Sequence, residues 1–266
     1  MRIAILGAGN MGGAVARGLV RSGVGSTADK AVKAGDITVT AGHDSTLEAF
    51  RKEGFETDTD NAKAVKGADI VMIAVKPAIV PKVLEEIKDE LNFSSQTLVC
   101  IAAGIKLETF DSILGEKDGK KAEVVFLIPD TAIEICRGIN FLSPARASQK
   151  TMTALLELME GTGTNHVVDM QKLKAGMVLA SCGTAYAMKY IQAIAEIGES
   201  MGFDSRTALD TAIKTVGGAA ALLKFRNSLP FEEIRRVATP GGFTERGMKK
   251  MDEAGFIDAL KAAHEI

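Results

Sequence analysis

The opening residues MRIAILGAGNMGG constrain this chain more than any other stretch, because an apolar β-type run at 3–6 breaks into Gly7, Gly9 and Gly12 and is followed by the helix-like GGAVARGLVRS. Each glycine answers a different steric demand. Gly7 permits the tight turn after the strand, Gly9 lets backbone amides approach a pyrophosphate, and Gly12 lets the following helix pack closely on the sheet. That helix, from about Met11, aims its positive end at the phosphates. An isolated glycine cluster is an ordinary turn, but a strand before it and a helix after it supply the context that dinucleotide binding requires. Residues 3–16 are uncharged and follow Arg2, yet glycines and Asn10 interrupt them, so they are not expected to be a secretory signal.

Strand-like runs recur at 3–6, 37–40, 70–75, 97–101 and 124–128, separated by segments of helical spacing. This alternation predicts an α/β fold with a doubly wound parallel sheet of the Rossmann type. The runs are apolar almost throughout, as expected of strands covered by helices on both faces. Ligands of such sheets lie at the C-terminal strand ends, here Lys76-Pro77, Ala102-Ala103-Gly104 and Pro129-Asp130.

After about Gly163 the β signals stop, so the chain is expected to divide into a dinucleotide-binding domain, 1–163, and an all-helical domain, 164–266. Over 185–201 the polar positions Lys189, Gln192, Glu196 and Glu199 form one narrow stripe. Such a helix must be buried on more than one side, in a domain core or against a second subunit. Asp204 or Ser205 caps a further helix whose buried face would be Leu209, Ile213, Val216, Ala220 and Leu223. A third helix spans 228–240 and ends at Pro240-Gly241-Gly242. Thr244 is then placed to cap a helix running from near Glu245 to Ala254-Gly255.

With 46% hydrophobic and 25% charged residues, the composition is that of an ordinary globular protein, and no stretch approaches the apolar length of a membrane-spanning helix, so a cytoplasmic location is expected. A formal net charge of −2 opposes attraction to a nucleic-acid backbone or a membrane surface, leaving small-molecule chemistry. Cys100, Cys136 and Cys182 are odd in number and scattered, which suits reduced thiols. His43, His166 and His264 have no metal-ligand spacing, and no metal is expected.

The segment Thr239 to Thr244, TPGGFT, connects two helices and presents consecutive glycine amides beside a helix start. A small carboxylate would be held there by the amides of Gly241 and Gly242 with the hydroxyls of Thr239 and Thr244. The same residues also make an ordinary capped loop without a ligand, and composition does not separate the two.

Six segments taken together resemble the pyrroline-5-carboxylate reductase family. They are ILGAGNMGGA at 5–14, Asp60-Asn61, ADIVMIAVKP at 68–77, IAAGI at 101–105, CGTAYA at 182–187 and TPGGFT at 239–244. Their order and spacing carry the resemblance over nearly the whole chain. It implies NAD(P)H-dependent reduction of 1-pyrroline-5-carboxylate to proline. It places the dinucleotide on Gly7, Gly9, Asn10, Met11 and Gly12, on Ala74, Val75, Lys76 and Pro77, and on Ala102, Ala103 and Gly104, with Asn61 near the adenosine end. It places the substrate carboxylate in the loop of Thr239, Gly241, Gly242 and Phe243, and the Thr244 hydroxyl on the ring nitrogen. It also implies a homodimer interleaved through the helical domain, with a ring of dimers as the larger assembly. No stable folded monomer is expected.

Two segments depart from the family pattern. Ile128-Pro129-Asp130-Thr131-Ala132 stands where MPNTP is usual, so an acid replaces an amide near the expected nicotinamide position. Ser181-Cys182-Gly183-Thr184-Ala185-Tyr186 replaces GSGPAY, losing a glycine and a proline. These departures motivate two alternatives, a reductase of another cyclic imino acid and a catalytically silent dinucleotide-binding regulator. A 3-hydroxy-acid or 6-phosphogluconate-type dehydrogenase shares the opening motif, but its GGSxG-like segment is missing, and Lys172 and Lys174 read as exposed helix charges. After the second strand, Ala41, Gly42, His43 and Asp44 offer no acid directly at the strand end for a ribose 2′-hydroxyl, which favours NADPH, with NADH the alternative. Asp44 is expected to cap a helix beginning near Leu47.

Overall fold

The computed structural model describes residues 1–23 and 31–265. They form two compact units, 1–182 and 183–266.

The first unit contains strands β1 (Ile3–Leu6), β2 (Ile37–Thr40), β3 (Glu56–Asp58), β4 (Ile70–Ile73), β5 (Thr97–Cys100), β6 (Glu123–Ile128), β7 (Gly138–Arg146) and β8 (Gly163–Val167). They lie in one sheet in the order β3-β2-β1-β4-β5-β6-β7-β8. Neighbours pair parallel except β6 and β7, which run antiparallel with a register shift between Val124 and Phe126. Ile5 is level with Val39 on one side and Met72 on the other, so chain direction reverses its progress across the sheet at β1, where open α/β sheets place their ligand crevice.

Alternation along β1 sends Ile3 and Ile5 to one face and Ala4 and Leu6 to the other. The first face is covered by α1 (Asn10–Ser22), α2 (Asp44–Lys52) and α6 (Gln149–Met159), through Val15, Leu19, Phe50 and Leu155. The second is covered by α3 (Asn61–Ala64), α4 (Val80–Ile87), α5 (Leu107–Leu114) and α7 (Met170–Gly176), through Val83, Leu84, Phe110 and Leu173. Each such fully buried aliphatic or aromatic side chain stabilises the fold by about 1.5–3 kcal/mol. A π-helical turn, Met177–Cys182, ends the unit.

The expected boundary at 163/164 falls early, because β8 pairs with β7 and carries the sheet to Val167. β8 reads as loop in the sequence because it is an edge strand, GTNHV, with few apolar residues.

The second unit contains α8 (Gly183–Ser200), α9 (Ser205–Arg226), α10 (Pro230–Val237), α11 (Phe243–Glu253) and α12 (Phe256–His264). Asp204 caps α9, its Oδ1 accepting the amides of Arg206 and Thr207 at 3.1 and 3.0 Å. Helices α8 and α9 pack on each other at a seam of small residues. A Cβ on Gly198 would lie 3.1 Å from that of Ala208, and Ala195, Ala208 and Ala212 are buried. Glu233 of α10 accepts from Arg226 and Arg236 at 2.5 and 2.6 Å. The Tyr186 hydroxyl donates to the carbonyl of Ala263 at 2.8 Å, tying α12 to α8.

The α9 face expected to be buried is not closed off within the chain, where Val216 and Leu223 are half-buried. Leu209 and Ile213 are about half exposed and Ala220 is exposed. Close approach through alanine and glycine turns the small-residue face inward and leaves the large apolar side chains outside. Among the described residues, no helix is long and apolar enough to cross a membrane.

Candidate active site

The turn from β1 into α1 has the geometry that its glycines require. Gly7 adopts φ +117°, and a Cβ there would come within 2.8 Å of the Ala74 carbonyl oxygen. At Gly12 a Cβ would sit 2.0 Å from the Gly7 oxygen, so α1 approaches its own turn as only glycine permits. Gly9 differs: no atom lies within 4 Å of its Cβ position, and it caps α1 in an extended conformation. The first turn of α1 holds no acidic residue, so its free amides and positive dipole end remain available to a phosphate. The residues present therefore fit a dinucleotide pyrophosphate.

Beside this turn lies a cleft of about 290 Å³, lined by Gly7, Thr40, Gly42, Asn61 and Val75 among others. Asn61 is fixed across it. Its Oδ1 accepts the Thr40 hydroxyl at 2.7 Å and its Nδ2 donates to Glu86 at 2.8 Å. Thr40 and Glu86 escape sequence reading because nothing in their local pattern marks them. The Ala74 amide donates to the Leu6 carbonyl at 2.9 Å, exposed Lys76 follows, and Pro77 opens a 3-10 turn. Ala102, Ala103 and Gly104, at the end of β5, line a second cleft of about 420 Å³ with Ile128, Met170 and Leu173.

Helix α2 starts at Asp44, earlier than expected, with His43 in the cap position and no side-chain cap bond. Asp44 is instead ion-paired with Arg51. That pair engages the acid nearest the end of β2.

Asp130 does local structural work. It is 4% exposed, and its two oxygens accept the backbone amides of Ala132 at 2.9 Å and Ile139 at 3.2 Å. Burial pushes its carboxyl above the ordinary range, against the lowering effect of those amides. An acid suits this position because both partners are N–H donors; a side-chain amide presents only one acceptor.

In the second unit, Gly241 takes φ +70° and Gly242 caps α11, which begins at Phe243. Thr244 is thus the second residue of the helix and not its cap. The two glycine amides expected to form an open anion cradle are both engaged. Gly242 donates to the Thr239 carbonyl at 2.9 Å, and Gly241 donates to Oε2 of Glu245 at 2.7 Å. The signal for Glu245 was in the sequence, since an acid three residues after a helix cap folds back on preceding amides. Phe243 is 88% exposed, with the Arg246 guanidinium 4.8 Å from its ring centroid.

Residues 170–265 match a family model described as pyrroline-5-carboxylate reductase dimerisation, and residues 2–104 match one described as NADP oxidoreductase coenzyme F420-dependent. The chain is 31% identical to pyrroline-5-carboxylate reductase of Methanosarcina acetivorans, over 99% of this chain and 96% of that protein. The chain belongs to the pyrroline-5-carboxylate reductase family. It is also 31% identical to pyrroline-5-carboxylate reductase 1 of Dictyostelium discoideum, over 97% of this chain, and spans 47% of the length of that protein. A solved pyrroline-5-carboxylate reductase from Coxiella burnetii superposes with a TM-score of 0.80 at 26% identity, covering 99% of this chain and 96% of the other. The Rossmann-type sheet followed by a helical C-terminal region is thus the fold of this reductase family.

Proposed function

We propose that this chain reduces 1-pyrroline-5-carboxylate to proline, with NADPH as hydride donor and NADH as the alternative. The observation that carries the reading is the likeness over nearly the whole chain to reductases bearing that name. When bound, NADPH would supply the hydride for the imine carbon, with the C=N electron pair and a proton going to the ring nitrogen to give the amine and NADP⁺.

The chain's own residues bind and orient. Gly7, Gly9, Asn10, Met11 and Gly12 hold the pyrophosphate. Asn61 lies toward the adenosine, and Ala74 to Pro77 with Ala102 to Gly104 bound the rest of the dinucleotide. Thr239, Gly241, Gly242 and Phe243 hold the ring carboxylate, and the Thr244 hydroxyl hydrogen-bonds the ring nitrogen. Reduction of a polarised C=N bond needs a dry, oriented encounter more than a strong base, in keeping with a chain of three histidines. The inward commitment of Asp130 to Ala132 and Ile139 removes one motive for a different substrate.

The first unit serves as the dinucleotide-binding domain and the second as the substrate-binding and dimerisation domain. The active assembly is a homodimer formed through the helical region, with a ring of dimers as its higher form, and it works in the cytoplasm. Oxidation of NADPH in the presence of 1-pyrroline-5-carboxylate tests the reaction, and a rate equal to the protein-free background would overturn it. Thr244→Ala should lower kcat by roughly 100-fold, the scale of a lost proton-side contact, with little change in KM for NADPH. An unchanged kcat would remove Thr244 from the reacting atoms.

A further inference from the structure

We infer that Glu245 determines how strongly the Thr239 to Thr244 loop takes a ring carboxylate, and so discriminates carboxylated cyclic imines from uncharged ones. The inference rests on the reading above that this loop receives the substrate's acid.

The first observation is occupancy. Oε2 of Glu245 accepts the Gly241 N–H at 2.7 Å, so a carboxylate of the protein already holds an amide that the substrate's carboxylate requires. The neighbouring Gly242 amide is bonded to the Thr239 carbonyl at 2.9 Å, which leaves the loop without a free glycine donor. The second observation is charge. Arg246, next along the helix, lies over the Phe243 ring at 4.8 Å, and among the described residues Glu245 has no ion-pair partner. A ring acid entering this loop must displace Glu245 from Gly241 or lie beside it as a like charge. An imine of the same ring size without a carboxylate meets neither obstacle.

A glutamate that only capped α11 would affect the helix and treat all substrates alike. Glu245→Gln separates the two roles, because the amide oxygen still accepts the Gly241 N–H while the charge is gone.

The test is the initial rate of NADPH oxidation by the full chain, its Glu245→Gln variant and its Glu245→Ala variant, with 1-pyrroline-5-carboxylate and with 1-pyrroline, which lacks the acid. In Glu245→Gln the KM for 1-pyrroline-5-carboxylate should fall roughly fivefold, the size of a screened like-charge repulsion at an exposed site, while the KM for 1-pyrroline stays put. Glu245→Ala, which also frees the amide, should lower the former at least as far. A KM for 1-pyrroline-5-carboxylate that is unchanged or raised in Glu245→Gln, or KM values for both imines that move together, would overturn the inference and leave Glu245 as a helix cap. Absence of turnover with both imines in the unaltered chain would instead overturn the reading of the function.

Discussion

Between residues 1 and 182, Ile3, Ile5, Leu6, Met72, Leu84 and Phe110 are fully buried between a sheet and its helices. Among the described residues of 183–266, those buried are Ala195, Ala208, Ala212 and Glu233. The large apolar side chains of the second unit face outward: Met201 is 74% exposed and Phe225 87%. The first unit closes a core within one chain. The second uses alanine and glycine to bring α8 and α9 together and leaves its bulky side chains exposed, which accords with its match to a dimerisation family model.

The largest effect should come from charging that outward surface. Ile213→Glu places a carboxylate on α9 where burial against a partner would cost several kcal/mol, so the variant should lose the dimer and its reductase activity together. A dimer of normal activity would show that this face of α9 is not the covered one.

Next in size is a change inside the self-sufficient unit. Gly12→Ala puts a methyl group 2.0 Å from the Gly7 oxygen and should cost about 1–3 kcal/mol as α1 is forced from its turn, with loss of NADPH affinity. Calorimetry should record both changes. Unaltered NADPH binding would separate the glycine packing from the cofactor site.

Much of the first unit is legible in the sequence because strands covered on both faces are apolar almost throughout, as β1 and β4 are entirely and β5 is after Thr97. The strands that escape are those freed from that demand. β3 is a three-residue edge strand, Glu56–Asp58; β8 is a polar edge; and β7 mixes buried with half-buried positions and runs antiparallel to β6. The glycine roles at Gly7 and Gly12 were readable because backbone geometry alone dictates them. The α9 face was not, since hydrophobic periodicity says which residues seek cover without saying whether the cover belongs to the same chain. The Thr239 to Thr244 loop was legible as a turn between helices, and the acid three residues past its cap marked Glu245 as a partner for a preceding amide; that this amide is Gly241 and not the Gly242 cap itself is set by the fold.

A smaller effect probes how the sheet ends are fastened. Asp130→Asn leaves one of the Ala132 and Ile139 amides facing a second donor and should lower stability by about 1–2 kcal/mol in denaturant unfolding, despite restoring the amide usual in the family. A variant as stable as the parent would mean that the two bonds contribute nothing net.

The smallest concerns pH. The Arg17 guanidinium, donating to both oxygens of Glu53 at 2.7 and 2.9 Å, holds that carboxyl below its ordinary range. Because the folded value is depressed, the contribution is present at neutral pH and is lost as pH falls through the folded value. The pair is partly exposed, so Glu53→Gln should lower stability at pH 7 by less than about 1 kcal/mol, and the difference should vanish in acid. A difference that grew on acidification would carry the wrong sign.

Sedimentation velocity of the unaltered chain at micromolar concentration tests the contrast between the two units most directly. The account predicts a dimer or a larger assembly with no folded monomer, since α8 and α9 expose too much apolar surface to stand alone. A stable, monodisperse, folded monomer would contradict it.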